Sequence, residues 1–200
     1  MLYNDDDVSF EKVISGGQDG VDQVALKISR ELGITTGGYA PKGFMTSSGR
    51  QPKLKTYYSL QELDTKGTRV SISGMYIERS KKNVDVSDGT IAIRYYDSIG
   101  TDKTIGYCIM GYWGRCNLSL HTKKNVVYDK THIGNTKYKK PLLIITGASS
   151  VEESANDIKA FITDNKIKVL NVCGHRELDR TQLKNTIDVL RNGLESFRKK

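Results

Sequence analysis

Much is settled by what this 200-residue chain lacks. No stretch comes near the run of about 18 apolar residues that a membrane-crossing helix requires, so no such helix is expected. The opening Met1-Leu2-Tyr3-Asn4-Asp5-Asp6-Asp7 is acidic and has no apolar core segment, so it does not resemble a secretory signal. Cysteine is scarce: Cys108, Cys116 and Cys173 are an odd number without C-x-x-C spacing. That pattern argues against a disulfide frame or a zinc site and for reduced thiols in a cytoplasmic protein. Two familiar nucleotide motifs are missing as well. The phosphate loop of nucleoside triphosphatases ends in Gly-Lys-Ser/Thr, which does not occur here. The dinucleotide fingerprint G-x-G-x-x-G fails because Ser15 stands where its first glycine belongs, and no acid occurs in Thr35–Ala40, about 20 residues on.

What is present is the run Ser15-Gly16-Gly17-Gln18-Asp19-Gly20-Val21-Asp22, which follows the short apolar pair Val13-Ile14. A strand that passes through glycines into a helix start exposes several backbone N–H groups at one point, a ready place for an anion or polar ligand head. Val21, Val24, Ala25, Ile28 and Leu32 recur at helical spacing, with Gly33 as a stop. Thr90–Ile93, Leu142–Ile145 and Val169–Val172 are short apolar strands. Val151, Ala155, Ile158 and Ile162 mark one further helix, and Leu183, Ile187, Leu190, Leu194 and Phe197 another of about five turns. Continuous apolar strands alternating with amphipathic helices predict one α/β domain over residues 1–200: a Rossmann-like, mostly parallel sheet with helices on both faces. Ligands of such sheets bind at the carboxyl ends of the strands.

Four ordered segments, Ser15–Leu26 (SGGQDGVDQVAL), Thr36–Gly43 (TGGYAPKG), Asn83–Thr90 (NVDVSDGT) and Asn171–Glu177 (NVCGHRE), resemble the molybdenum-carrier family. That family belongs to the Rossmann-like superfamily, SLOG, which includes Lonely Guy phosphoribohydrolases and DNA-processing proteins. The resemblance spans Lys12 to about Arg198. It implies a ligand pocket at the strand ends, into which all four segments would fall, and a nucleotide-like ligand or a molybdenum species as the bound group. It also implies a homodimer, by analogy alone.

The pocket residues expected on these grounds are Gly16, Gly17, Gln18, Asp19, Gly20, Asp22, Lys42, Arg79, Asn83, Asp88, Gly100, Thr101 and Thr104. Lys42 is held in a turn by Pro41 and Gly43 and would present a cation. Arg79 and Asn83 are four apart, on one face of a helix. Gly100, Thr101 and Thr104 match the family's third loop, whose N–H and hydroxyl groups meet an anion at a helix start. Two residues depart from the family: Asp19 replaces a more usual threonine and would repel a phosphate held next to it, and His175 stands where relatives have proline. Valine at both Gly16 and Gly17 is expected to abolish ligand binding while leaving the fold intact.

The related hydrolases use Pro-Gly-Gly-x-Gly-Thr-x-x-Glu with a catalytic glutamate. Here the stretch is Tyr96–Thr104, and Thr104 takes the glutamate's place, so catalysis lacks its acid–base group unless Asp19, Asp22 or Asp88 supplies it. No metal-ligand spacing occurs. Between Gly111 and Lys140, seven Lys or Arg face the single acid Asp129, which places +6 of the chain's +8 in one inserted segment. Alternation around Leu118, Leu120, Val126 and Tyr128 suggests a hairpin there. The expected partner is therefore a small anionic ligand. The alternatives are molybdate carriage, nucleotide N-glycoside hydrolysis, and nucleic-acid binding through the basic segment.

Overall fold

The computed structural model describes residues 9–64, 71–114, 124–128 and 140–199. In chain order its elements are β1 (Lys12–Ile14), α1 (Val21–Glu31), β2 (Thr35–Gly37), β3 (Tyr39–Ala40), β4 (Met45–Thr46), β5 (Gly49–Arg50), α2 (Lys53–Tyr58), β6 (Gln61–Glu62), α3 (Ile72–Val86), β7 (Gly89–Arg94), α4 (Ile99–Met110), β8 (Val126–Tyr128), β9 (Leu142–Thr146), α5 (Val151–Asp164), β10 (Val169–Gly174) and α6 (Arg180–Leu194). Six strands make the main sheet, in the order β2-β1-β10-β7-β9-β8. Every neighbouring pair is parallel except β8–β9.

The apolar runs of β7 and β9 follow from burial on both sides. Alternate residues of a strand face opposite ways. Ile91, Ile93, Leu143 and Ile145 accordingly pack with α1, α5 and α6, whereas Ala92, Leu142 and Ile144 pack with Val84 of α3 and Ile105 and Cys108 of α4. A smaller cluster of Leu26, Ala40, Phe44, Leu54 and Leu60 fastens the β3–β6 pair and α2 to the side of α1. Capping boxes start two helices, Ser150 with Glu153 at α5 and Asp179 with Gln182 at α6, each satisfying orphan N–H groups of the first turn. The last helix is shorter than its periodicity suggests, because a tight turn at Glu195–Phe197 finishes the apolar stripe.

The basic segment is described only at Gly111–Gly114, Lys124–Tyr128 and Lys140. Val126–Tyr128 joins the sheet beside β9. Leu118 and Leu120, the other half of the expected hairpin, lie outside the described residues.

One expectation needs correction. Asp88 is not at the carboxyl end of the sheet. It precedes β7, and its Oδ2 accepts from the N–H groups of Lys168 (3.0 Å) and Val169 (2.8 Å) at the start of β10. A carboxylate there satisfies strand N–H groups at the amino edge, remote from the loops that follow β1, β7 and β10.

Candidate ligand-binding cleft

Those loops bound a cleft of about 640 Å³. The chain after β1 contributes Gln18 and Asp22, the chain after β7 contributes Tyr96–Thr101 with Lys103 and Thr104, and the chain after β10 contributes Gly174–Glu177. Residues of α3, among them Tyr76, Ile77 and Arg79, make the facing wall. Of the expected pocket residues, six line it: Gln18, Asp22, Arg79, Gly100, Thr101 and Thr104.

The glycine loop holds an anion of its own. Asp22, in the first turn of α1 and only 2% exposed, accepts the Gln18 N–H (3.2 Å) and the Arg79 Nη1 donor (3.1 Å) on Oδ2. The Val21 N–H goes to the His175 carbonyl at 2.9 Å. A helix N-terminus favours negative charge, and here the chain's own carboxylate supplies it. Burial pushes the Asp22 carboxyl above the usual range, with Arg79 acting against the shift. Gly16 makes room for this pair, since a Cβ there would lie 1.1 Å from Arg79 Nη1. Gly17 has φ +71° and would bring a Cβ to 2.7 Å from Leu60. Valine at Gly16 and Gly17 therefore strikes the core as well as the cleft, contrary to the expectation that the fold would be untouched.

Arg79 is the wall's outstanding residue. Its side chain is 10% exposed, one nitrogen pairs with Asp22, and its Nε is buried without a hydrogen-bond partner among the described residues. An unmet buried donor carries a desolvation cost that an acceptor removes.

The start of α4 lines the same cleft as Arg79. Arg94, 4% exposed at the end of β7, donates from Nε to Asp102 Oδ1 (2.6 Å) and also pairs with Asp97, while Asp102 Oδ2 accepts the Ser98 N–H (3.2 Å). This network ties the Tyr95–Ser98 loop to the first turn of α4, whose residues Ile99, Gly100 and Thr101 line the cleft. Ser98 makes no side-chain cap there, Thr101 Oγ1 donates to Ser98 Oγ (3.3 Å), and Gly100 faces open space.

His175 is not the solvated loop residue that a lone histidine suggests. It is 2% exposed, and its Nε2 accepts from the backbone N–H groups of Tyr95 (3.0 Å) and Tyr96 (3.3 Å). Burial, helped by nearby Arg94, pushes its pKa down to about 4, so the ring is neutral. The Tyr96 ring stacks on it with centroids 3.8 Å apart.

The other expected residues have different work. Asp19 is not itself in the cleft lining: its Oδ2 accepts from the hydroxyl of the lining residue Ser47 (2.6 Å) and from the Ser48 N–H (2.8 Å), binding the β4–β5 hairpin to the glycine loop. Partial burial raises its pKa, but the serine hydrogen bonds outweigh that and leave it below the usual carboxylate value. Asn83 grips the Tyr39 backbone, accepting its N–H (2.8 Å) and donating to its carbonyl (3.1 Å). Lys42 is exposed in a tight turn and is not part of the cleft lining. Gly20 starts α1 against the His175 backbone. Thr104 donates its hydroxyl to the Gly100 carbonyl (3.0 Å), an intrahelical use that offers no acid–base group.

Sequence reasoning missed Arg94, Asp102 and Tyr96. The available signal was Arg94 itself, a charge closing an apolar strand eight residues before an aspartate. Cys173 lines the cleft, but burial raises its pKa well above the ordinary thiol value, and Cys108 is pushed up to about 12. Neither is a ready thiolate nucleophile. Among the described residues, no three His, Cys, Asp or Glu side chains converge as metal ligands, and no helix is long and apolar enough to cross a membrane.

Comparison with known proteins agrees with this architecture. No curated protein matches the chain. Among solved structures, the crystal structure of a protein from Syntrophus aciditrophicus SB named "Putative molybdenum carrier protein" superposes with a TM-score of 0.69 at 31% identity, covering 93% of this chain and 96% of that one. The model of the circularly permutated YpsA SLOG family matches residues 13–133. With more than half its length under that model, and a fold whose cleft opens at the carboxyl ends of a parallel sheet, the chain belongs to the circularly permutated YpsA SLOG family.

Proposed function

We propose that the cleft binds a small anionic, nucleotide-like ligand, with its negative group between Arg79 and the start of α4. The observation that carries this reading is Arg79 itself, a largely buried cation on the wall of the cleft whose Nε has no hydrogen-bond partner among the described residues. Support comes from the first turn of α4, where Ser98 supplies no side-chain cap and Asp102, paired with Arg94, takes the Ser98 N–H, which leaves the N–H groups that follow for an acceptor. Gly100 leaves that turn open to close approach.

The test is a thermal-shift panel of nucleoside mono-, di- and triphosphates, phosphate, molybdate and tungstate, on wild type and Arg79→Gln. A ligand at 100 times its Kd adds about 2.7 kcal/mol of stability. The expected result is a rise with one nucleotide class that Arg79→Gln abolishes. Silence across the panel overturns the reading and turns attention to nucleic acid and the basic Gly111–Lys140 segment, whose binding would fall steeply with salt.

A second reading, carriage of molybdate, draws on the name of the Syntrophus aciditrophicus protein. The same donors suit a tetrahedral oxyanion, which would be cargo held by hydrogen bonds. A rise with molybdate and tungstate alone favours it. Hydrolysis of a nucleotide N-glycoside would fall to Asp22, the buried carboxylate in the lining. Release of free base from bound nucleoside monophosphates measures that directly.

A further inference from the structure

Tyr96 unites two properties that rarely occur together. Its ring is 39% exposed and lines the cleft, yet it is tied at three points. The ring stacks on the His175 imidazole at 3.8 Å with 22° between the planes. Its backbone N–H donates to His175 Nε2 at 3.3 Å, and its hydroxyl donates to the Glu177 carbonyl at 2.9 Å. An exposed tyrosine ordinarily samples several rotamers and must give up that freedom when it binds something. Here the folded chain has already removed it, which is the economy of a preorganised contact. The imidazole that supports the ring is buried and held by backbone donors from the same loop, so the platform moves only if the loop moves.

Position gives the ring its meaning. Three residues separate Tyr96 from Gly100 at the open start of α4, and Ile99 between them is 60% exposed. A flat aromatic surface and an exposed aliphatic side chain thus line the same cleft as the start of α4. A bare oxyanion would use neither. A molecule with an anionic group at one end and a planar ring at the other would use both.

We infer that Tyr96, clamped between His175 and Glu177, is a stacking platform for a heteroaromatic base, and that the ligand of the cleft is a nucleoside phosphate. This rests on the reading of the cleft as an anion site.

The test compares the four common ribonucleoside 5′-monophosphates with ribose 5-phosphate, which has the anion and sugar but no base. Calorimetric Kd values are taken for wild type, Tyr96→Leu and Tyr96→Phe. Base–aromatic stacking predicts that wild type prefers at least one nucleotide over ribose 5-phosphate by about fivefold or more. Tyr96→Leu should remove that preference while leaving ribose 5-phosphate binding unchanged, and Tyr96→Phe should keep it. If wild type shows no preference, if Tyr96→Leu keeps it, or if Tyr96→Leu weakens ribose 5-phosphate equally, the platform is overturned while the anion site stands. If none of these compounds binds wild type, the platform falls, and the anion site falls with it unless molybdate or phosphate raises the melting temperature. Should Tyr96→Leu not fold, nuclear Overhauser contacts between base protons and the Tyr96 ring in wild type decide the matter, and their absence overturns the inference.

Discussion

The Asp22 carboxylate and the Arg79 guanidinium, 57 residues apart in the chain, meet at 3.1 Å with 3% and 10% of their side chains exposed. The pair binds the start of α1 to the middle of α3 across the glycine loop. Two charges taken out of water in this way gain little net stability, but removing one strands the other. Asp22→Ala should therefore cost about 3 to 5 kcal/mol, because Arg79 is left charged and buried. Asp22→Asn keeps an acceptor oxygen and should cost less. Urea unfolding with the slope m held constant checks both, and a loss under about 1 kcal/mol for Asp22→Ala would show that water reaches Arg79.

His175 gives stability a pH dependence of definite sign. Its folded pKa is about 4, below the ordinary 6.5 of an unfolded histidine. The unfolded chain therefore binds more protons between those values, and stability rises with pH across that window. The contribution is complete above about pH 6.5, shrinks as pH falls toward 4, and amounts to about 3 kcal/mol. Protonation would also remove the acceptor that holds the Tyr95 and Tyr96 N–H groups. His175→Gln can still accept a hydrogen bond but cannot titrate, so its unfolding free energy should lose this part of the slope between pH 4 and 6.5. An equal slope in the variant would assign the effect to other groups.

Asn83 distinguishes positioning from binding. Both ends of its amide are engaged by the Tyr39 backbone, and the side chain is almost fully buried. Asn83→Ala leaves a buried N–H and carbonyl unmet and should cost about 1 to 3 kcal/mol. Ligand affinity of the folded fraction should change little. Calorimetry at a temperature where the variant is fully folded tests this, and a tenfold weaker Kd would return Asn83 to the ligand.

Regular elements could be read from the sequence wherever one periodicity governed a segment. The stripe Val21, Ala25, Ile28 and Leu32 lies on one side of α1, and Thr90–Ile93 and Leu142–Ile145 are the buried centre of the sheet. α3 was less legible, because its inward face carries Arg79 and Asn83 where a stripe search looks for leucines. The cleft was legible in part. Glycine spacing located the loop after β1, but spacing carries no information on the partners of its carboxylates, Ser47 and Ser48 for Asp19 and Arg79 for Asp22. The His175 acceptor arises from a tertiary contact 80 residues apart, for which the local pattern has no signature, whereas Arg94 and Asp102, eight residues apart, left only the charge that closes an apolar strand.

Two glycines at helix starts should respond in opposite directions. Gly20 precedes α1 with φ +77°, and a Cβ on it would lie 2.2 Å from the His175 carbonyl and 2.7 Å from the Arg176 backbone. Neither neighbour is a flexible side chain, so Gly20→Ala must move the loop after β10 away from α1, breaking the Val21 N–H bond to His175. A cost of at least about 2 kcal/mol follows from the strained φ and the clash, seen as a fall in Tm of about 4 °C or more. Gly100 sits in the first turn of α4 with nothing within 4 Å of its would-be Cβ and an ordinary negative φ. Gly100→Ala should raise stability by up to about 1 kcal/mol through helix propensity. The new methyl group occupies the open approach to the α4 N–H groups, so affinity for nucleotide should fall even as Tm rises. A variant that gains stability and binds as well as wild type would place the anion elsewhere along the cleft.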